Sequence, residues 1–155
     1  MKAERARLTR VGLALLVSSL ADLALAGSAV GDIQAVIDGT VWRTFQNAFH
    51  RMDGAALNSV YADTVLRVTP DGLDTQGNFK QDNLTRFLEN RARGDRIELD
   101  FWFDSRHTNA AVSYDVGFYR VRVVAASGES SDFFGQFHIV VRKINGCWKI
   151  VQDWD

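Results

Sequence analysis

Phe134 to Asp155, FGQFHIVVRKINGCWKIVQDWD, is the stretch on which the rest of the chain depends. Its first half alternates, with Phe137, Ile139 and Val141 on one side of an extended chain and Gln136, His138 and Arg142 on the other. Asn145-Gly146 then interrupts the pattern. A type I′ turn needs φ > 0 at both central residues, and Asn-Gly tolerates that best. Beyond it Trp148, Ile150, Gln152 and Trp154 alternate with Lys149, Val151 and Asp153. The spacing predicts a closing β-hairpin.

Further toward the N-terminus, Ala110 to Val124 reads as a long strand with a bend or bulge at Gly117. Arg96 to Arg106 sets Ile97, Leu99, Phe101 and Phe103 against Glu98, Asp100, Trp102 and Asp104. Helical spacing governs the first half of the chain. A helix opens near Asp32 and buries Ile33, Val36, Ile37, Val41, Phe45, Ala48, Phe49 and Met52. Asp53 is placed to cap a short helix from Ala55 to Tyr61. A strand at Val65 to Thr69 stops at the Pro70-Asp71-Gly72 turn, and a third helix runs from Asn78 toward Gly94. Helices before antiparallel strands predict one α+β domain over residues 32–155. Three N-terminal helices would pack on the concave face of a curved, cone-shaped antiparallel sheet.

The chain has 155 residues, 46% hydrophobic and 24% charged, enough to bury a core and unlike a disordered segment. Its net charge of −1 offers no electrostatic footprint for nucleic acid. Cys147 is the only cysteine, so neither an internal disulfide nor a thiolate zinc cluster is available. Beside Trp148 it reads as a small buried hydrophobe. His50 and His107 have no acidic or thiol neighbours at ligand spacing, and neither metal nor cofactor is expected. Residues 1–26 follow another order: Lys2, Arg5, Arg7 and Arg10, an apolar run from Val11 to Leu20, then Ala24-Leu25-Ala26. That order predicts a signal peptide cleaved near residues 26–29, a secreted or periplasmic protein, and no stable membrane span after processing. An uncleaved amphipathic anchor helix is the alternative.

The run Val41-Trp42-Arg43-Thr44-Phe45-Gln46-Asn47-Ala48-Phe49, then Asp53, Leu57 to Asp63 and Val68-Thr69-Pro70, resembles the opening of the nuclear transport factor 2-like superfamily. It is most similar to the SnoaL-like and ketosteroid-isomerase-like branch, and the hairpin through Gly146, Trp148-Lys149-Ile150 and Asp153 resembles that branch's ending. The resemblance implies a cone-shaped fold that hosts isomerases, hydrolases, dehydratases, association modules and binders alike. A ketosteroid isomerase pairs an Asp base with an oxyanion hole of Tyr and protonated Asp. Here those three positions fall on Phe45 (the Tyr), Thr69 (the base) and His138 (the protonated Asp), so the steroid mechanism does not carry over.

The resemblance places Val151 and Asp153 in the pocket wall. His138 and Asp153, on adjacent strands, are then the candidate catalytic pair, His138 as general base and Asp153 orienting it. Trp42, Tyr61 and Tyr119 are candidates for the wall, joined by Phe45 and Thr69 at the family's site positions. Trp102, a large indole on an acidic strand face, is the candidate interface residue of a homodimer formed through the sheet. Two functions stay open. In one, the cone holds a small hydrophobic molecule, with or without general acid–base turnover of isomerase, hydrolase or dehydratase type. In the other, a cone plugged by Trp42, Phe45 and Phe137 belongs to a non-catalytic association or accessory domain working through its sheet face.

Overall fold

A computed structural model describes residues 29–155, so the expected signal peptide lies outside the described residues. Residues 29–37 are helical, Asp38–Trp42 form a π-helical turn, and α1 (Arg43–Arg51) continues the same rod. The wider turn re-phases the apolar stripe, so Ile37, Val41 and Trp42 before α1 and Ala48 and Phe49 within it are all buried. Met52 ends α1 in the left-handed region, with its N–H and that of Asp53 returning to the carbonyls of Phe49 and Ala48. Asp53 caps α2 (Gly54–Ser59) through a 2.9 Å bond from the Ala56 N–H.

β1 (Tyr61–Thr69) follows at once, so Tyr61 opens a strand where the end of a helix was expected. Gly72–Asp74 forms a short strand, β2, where only a turn was read. The Asp74 carboxylate accepts the N–H groups of Gln76, Gly77 and Phe79, which starts α3 (Phe79–Ala92). The remaining strands are β3 (Arg96–Thr108), β4 (Val112–Val124), β5 (Ser130–Ile144) and β6 (Cys147–Trp154). They make an antiparallel meander in a six-stranded sheet of order β2-β1-β6-β5-β4-β3. The fold is α+β as expected, with one refinement: β1 lies parallel to β6, so the sheet is not wholly antiparallel.

Two bulges decide which side chains face the helices. Phe103 pairs with Gly117 and Ser105 with Val116, which leaves Asp104 as an extra residue. Val140 pairs with Gln152 but Val141 with Ile150, which leaves Val151 unpaired against β5. Trp148 and Ile150 are buried before that bulge and Asp153 after it, so the inward parity of β6 switches at Val151. At the turn between β5 and β6, Asn145 and Gly146 take φ of 50° and 85°, the signs a type I′ hairpin needs.

The edge strand β3 is tied to α1 rather than left open. The Gln46 amide donates to the Leu99 carbonyl at 2.7 Å, and the Leu99 N–H donates to His50 Nε2 at 3.1 Å. One helical turn thus satisfies both edge groups of Leu99. The narrow end of the core is closed by Trp42, whose ring lies 4.9–5.1 Å from those of Phe101, Phe103 and Phe137. Cys147, read as buried, is exposed beside the hairpin turn.

Candidate functional site

Below the Trp42 plug the helices and the sheet stand apart and enclose a cavity of about 140 Å³. Phe45, Phe49, Leu57, Phe101, Phe137 and Ile139 form its apolar wall. Phe45 and Phe49 are one turn apart on α1 and stack at 5.4 Å, giving the wall a flat face. The polar members are Tyr61 and Arg67 from β1, Asn83 and Arg86 from α3, Tyr119 from β4, and Asp153 with Asp155 at the end of β6.

Asp153 is the buried carboxyl in the lining of this cavity. It is 4% exposed, and its Oδ2 accepts the Tyr61 hydroxyl at 2.7 Å. The parallel β1–β6 pairing makes that contact possible, bringing together residues 92 apart in the chain. Burial first, and repulsion from Asp155 second, raise the Asp153 carboxyl to about 6; the Tyr61 hydrogen bond and the Arg67 charge pull the other way. Burial and the neighbouring Asp153 hold the Tyr61 hydroxyl well above its ordinary value, so Tyr61 stays protonated and donates. Among the described residues Asp153 Oδ1 makes no hydrogen bond and faces the cavity. Arg67 Nη2 meets Asp155 at 3.1 Å, with its guanidinium 5.1 Å above the Phe79 ring. Tyr119 packs on Gly135, where an added Cβ would sit 2.4 Å from the Tyr119 hydroxyl.

The expected His138–Asp153 pair does not form. His138 stands opposite Trp154, and Asp153 opposite Ile139, so the two side chains leave opposite faces of the sheet. His138 Nδ1 lies 3.0 Å from the Tyr114 hydroxyl, and its ring meets Trp154 edge-on at 4.6 Å, both on the outer face. The cause is parity: Phe137 and Ile139 are core residues, and a strand cannot turn their neighbour inward as well.

Other expected wall residues divide. Phe45, Tyr61 and Tyr119 line the cavity, whereas Trp42, Thr69 and Val151 do not. Trp42 donates its indole N–H to the fully buried Asp115 at 2.8 Å, and Arg106 and Ser113 reach the same carboxylate. That cluster anchors the π turn to β3 and β4. Thr69 lies at the far end of β1, in a surface cleft beside Gly72. Val151 is the bulge residue. Arg67, Asn83, Arg86 and Asp155 had no signal in the sequence, since none lies in a patterned position. Trp102 is exposed on the outer face, paired with Phe118, and Phe134 and Trp154 are exposed on the same face farther along the sheet.

No protein-family model matches this chain, and no curated protein matches it. Solved structures do. A conserved protein from Planctomyces limnophilus superposes with a TM-score of 0.67 at 19% identity, covering 81% of this chain and 95% of that one. A nuclear transport factor 2-like superfamily protein from Salmonella enterica gives 0.59 at 16% identity over 83% and 91% of the two chains. A ketosteroid isomerase-like protein from Erwinia carotovora gives 0.57 at 18% over 77% and 92%. Likeness at such identities is a likeness of fold, and the chain has the nuclear transport factor 2-like fold.

Proposed function

We propose that this protein binds a small, largely apolar molecule in its cavity, with Asp153 and Tyr61 as the polar centre. The observation that carries this reading is a buried carboxyl with one oxygen committed to Tyr61 and the other open to a cavity of about 140 Å³ lined by aromatic rings. A carboxyl held at about 6 is present in both protonation states near neutral pH. Such a group can take a proton from a bound molecule and return it, which is the work of a general acid–base catalyst in isomerase-, hydrolase- or dehydratase-type reactions. Tyr61, spent on Asp153, tunes the acid rather than touching the ligand. Asp153 thus replaces the His138–Asp153 pair in the proposal.

A fragment screen of single-ring phenols, ketones and acids by protein-observed NMR tests this reading. Binding that shifts Tyr61, Tyr119 and Phe45 resonances and is altered by Asp153→Asn supports it; hits confined to the outer face of the sheet would end it.

A second reading rests on the outer face. Trp102, Phe118, Phe134 and Trp154 are 51%, 51%, 72% and 41% exposed there, more aromatic surface than a solvated sheet keeps. We infer that this face joins two copies in a homodimer, as an addition to the cavity's role. The aromatic plug of Trp42 and Phe137 closes only the narrow end of the cone, so the cavity and the outer face can both work. Export through residues 1–26 is likewise proposed from the sequence, and N-terminal sequencing of the protein recovered outside the cytoplasm tests it. Among the described residues no helix is long and apolar enough to cross a membrane.

A further inference from the structure

Two guanidiniums line a cavity whose other walls are mostly aromatic or aliphatic, and among the described residues one of them has no carboxylate to answer it. Arg67 spends Nη2 on Asp155, but its Nε is buried without a partner among the described residues. Arg86 lies 5.7 Å from the Phe49 ring centre and 5.3 Å from that of Phe87, which holds its planar head in place. Its one side-chain hydrogen bond among the described residues is to Asn83 Oδ1 at 3.3 Å, and no carboxylate there comes within ion-pair distance. Partial desolvation, then repulsion from Arg67, hold the Arg86 guanidinium below its ordinary value. Two cations share one opening with a single committed counter-ion between them.

We propose that the cavity takes a small monocyclic carboxylic acid, its ring against Phe45, Phe101 and Phe137 and its carboxylate between Arg67 and Arg86. This rests on the reading of the cavity as a small-molecule site and adds the ligand's charge and size. The size follows from the volume: an apolar cavity of about 150 Å³ holds a benzene ring, so one ring fills a space of this order. The charge follows from the guanidiniums. A carboxylate accepts from planar N–H forks in pairs, and Arg86 offers the cavity a guanidinium edge that no carboxylate occupies among the described residues, beside the second positive charge of Arg67. Arg86 is exposed while Asp153 is 4% exposed, so the acid group sits at the open side and the ring goes inward.

Binding of such an anion is coupled to pH. The titratable and charged groups that share the cavity with Asp153 are Tyr61 and Arg67 on β1, Arg86 on α3, Tyr119 on β4 and Asp155 after β6. With Asp153 ionised, two carboxylates balance two guanidiniums. With Asp153 protonated the site carries one net positive charge, and an incoming anion no longer meets a buried negative one. The acid therefore binds more tightly as pH falls through about 6.

Calorimetric titration of the full chain with benzoate and with benzamide, between about pH 5.5 and 8, tests the proposal. Benzoate is expected to bind about tenfold more tightly than benzamide at the acid end, and to weaken as pH rises. Arg86→Gln should lower benzoate affinity about fivefold or more and leave benzamide unchanged. If benzamide binds as well as benzoate, or Arg86→Gln weakens both equally, the acid assignment is overturned while the cavity remains a small-molecule site. If neither probe binds, the acid assignment is overturned, and the screen of phenols and ketones decides the small-molecule reading separately.

Discussion

The carboxyl of Asp153 sits where a negative charge is costly, and its neighbours split between those that favour the charge and those that oppose it. Burial and Asp155 oppose; Tyr61 and Arg67 favour; burial prevails, and the group titrates at about 6 instead of 3.8. The folded state therefore holds this proton more tightly than the unfolded chain does. Below 3.8 both states are protonated, and the preference for the folded state is fully present. It is lost as pH rises through 6, where the folded protein must also ionise a buried group. At ~1.4 kcal/mol per pKa unit the full effect is roughly 3 kcal/mol at most. Asp153→Asn, which keeps an acceptor for Tyr61, should raise stability at pH 8 by about 1–3 kcal/mol and make little difference near pH 4. Urea denaturation of both proteins across that range is the check. Tyr61→Phe removes a bond that favours the ionised form, so it should move the Asp153 midpoint above 6, as read by carboxyl carbon NMR. A midpoint that fell would contradict the assigned role of Tyr61.

Bulges and close approaches settle matters at the scale of the element. Strict alternation along β6 puts Asp153 on the face opposite Trp148 and Ile150, yet all three are buried because Val151 is an extra residue. No residue type in VQD announces that bulge, so the sequence led to Asp153 only through family resemblance, and it carried His138 along wrongly. The Asn145-Gly146 turn and the Asp53 cap were legible because their chemistry is local: a pair that tolerates positive φ, and a carboxylate three residues before the N–H it accepts. Two glycines show the difference between a backbone and a side-chain obstacle. A Cβ at Gly117 would lie 2.2 Å from the Trp102 carbonyl oxygen, which the β3–β4 pairing holds in place. Gly117→Ala should cost about 3 kcal/mol or more in equilibrium denaturation. A Cβ at Gly135 meets only the far end of Tyr119, which can move. Gly135→Ala should cost about 1 kcal/mol or less, while changing the affinity of any cavity ligand because Tyr119 is part of the wall. Equal and large losses of stability in the two variants would show that Tyr119 is locked.

Across the whole molecule, the order of helices and strands was readable because hydrophobic period and turn residues repeat the same message along the chain. Long-range pairing was not. The parallel match of β1 to β6 joins the first strand to the last, and nothing in Tyr61 to Thr69 names its partner. The site depends on that match, since it brings Tyr61 and Arg67 to Asp153 and Asp155. Arg86 arrives independently on α3, a third remote segment. This is why the cone and, through the resemblance, Asp153 could be foreseen, while the groups that Asp153 meets could not. The outer face works at this scale too: if the aromatic surface around Trp102 joins two copies, Trp102→Glu should halve the mass seen by light scattering without changing the cavity. An unchanged mass would leave that face without its proposed partner.

In the function proposed, Asp153 is a buried, proton-exchanging carboxyl facing a cavity that a small molecule can enter. Titration of the Asp153 side-chain carbon by NMR, alone and with a single-ring ligand, tests it most directly. A midpoint near 6 that moves when the ligand is added is the predicted result. A midpoint at the ordinary 3.8, unmoved by any ligand, would mean an open, solvated carboxylate and would contradict the account.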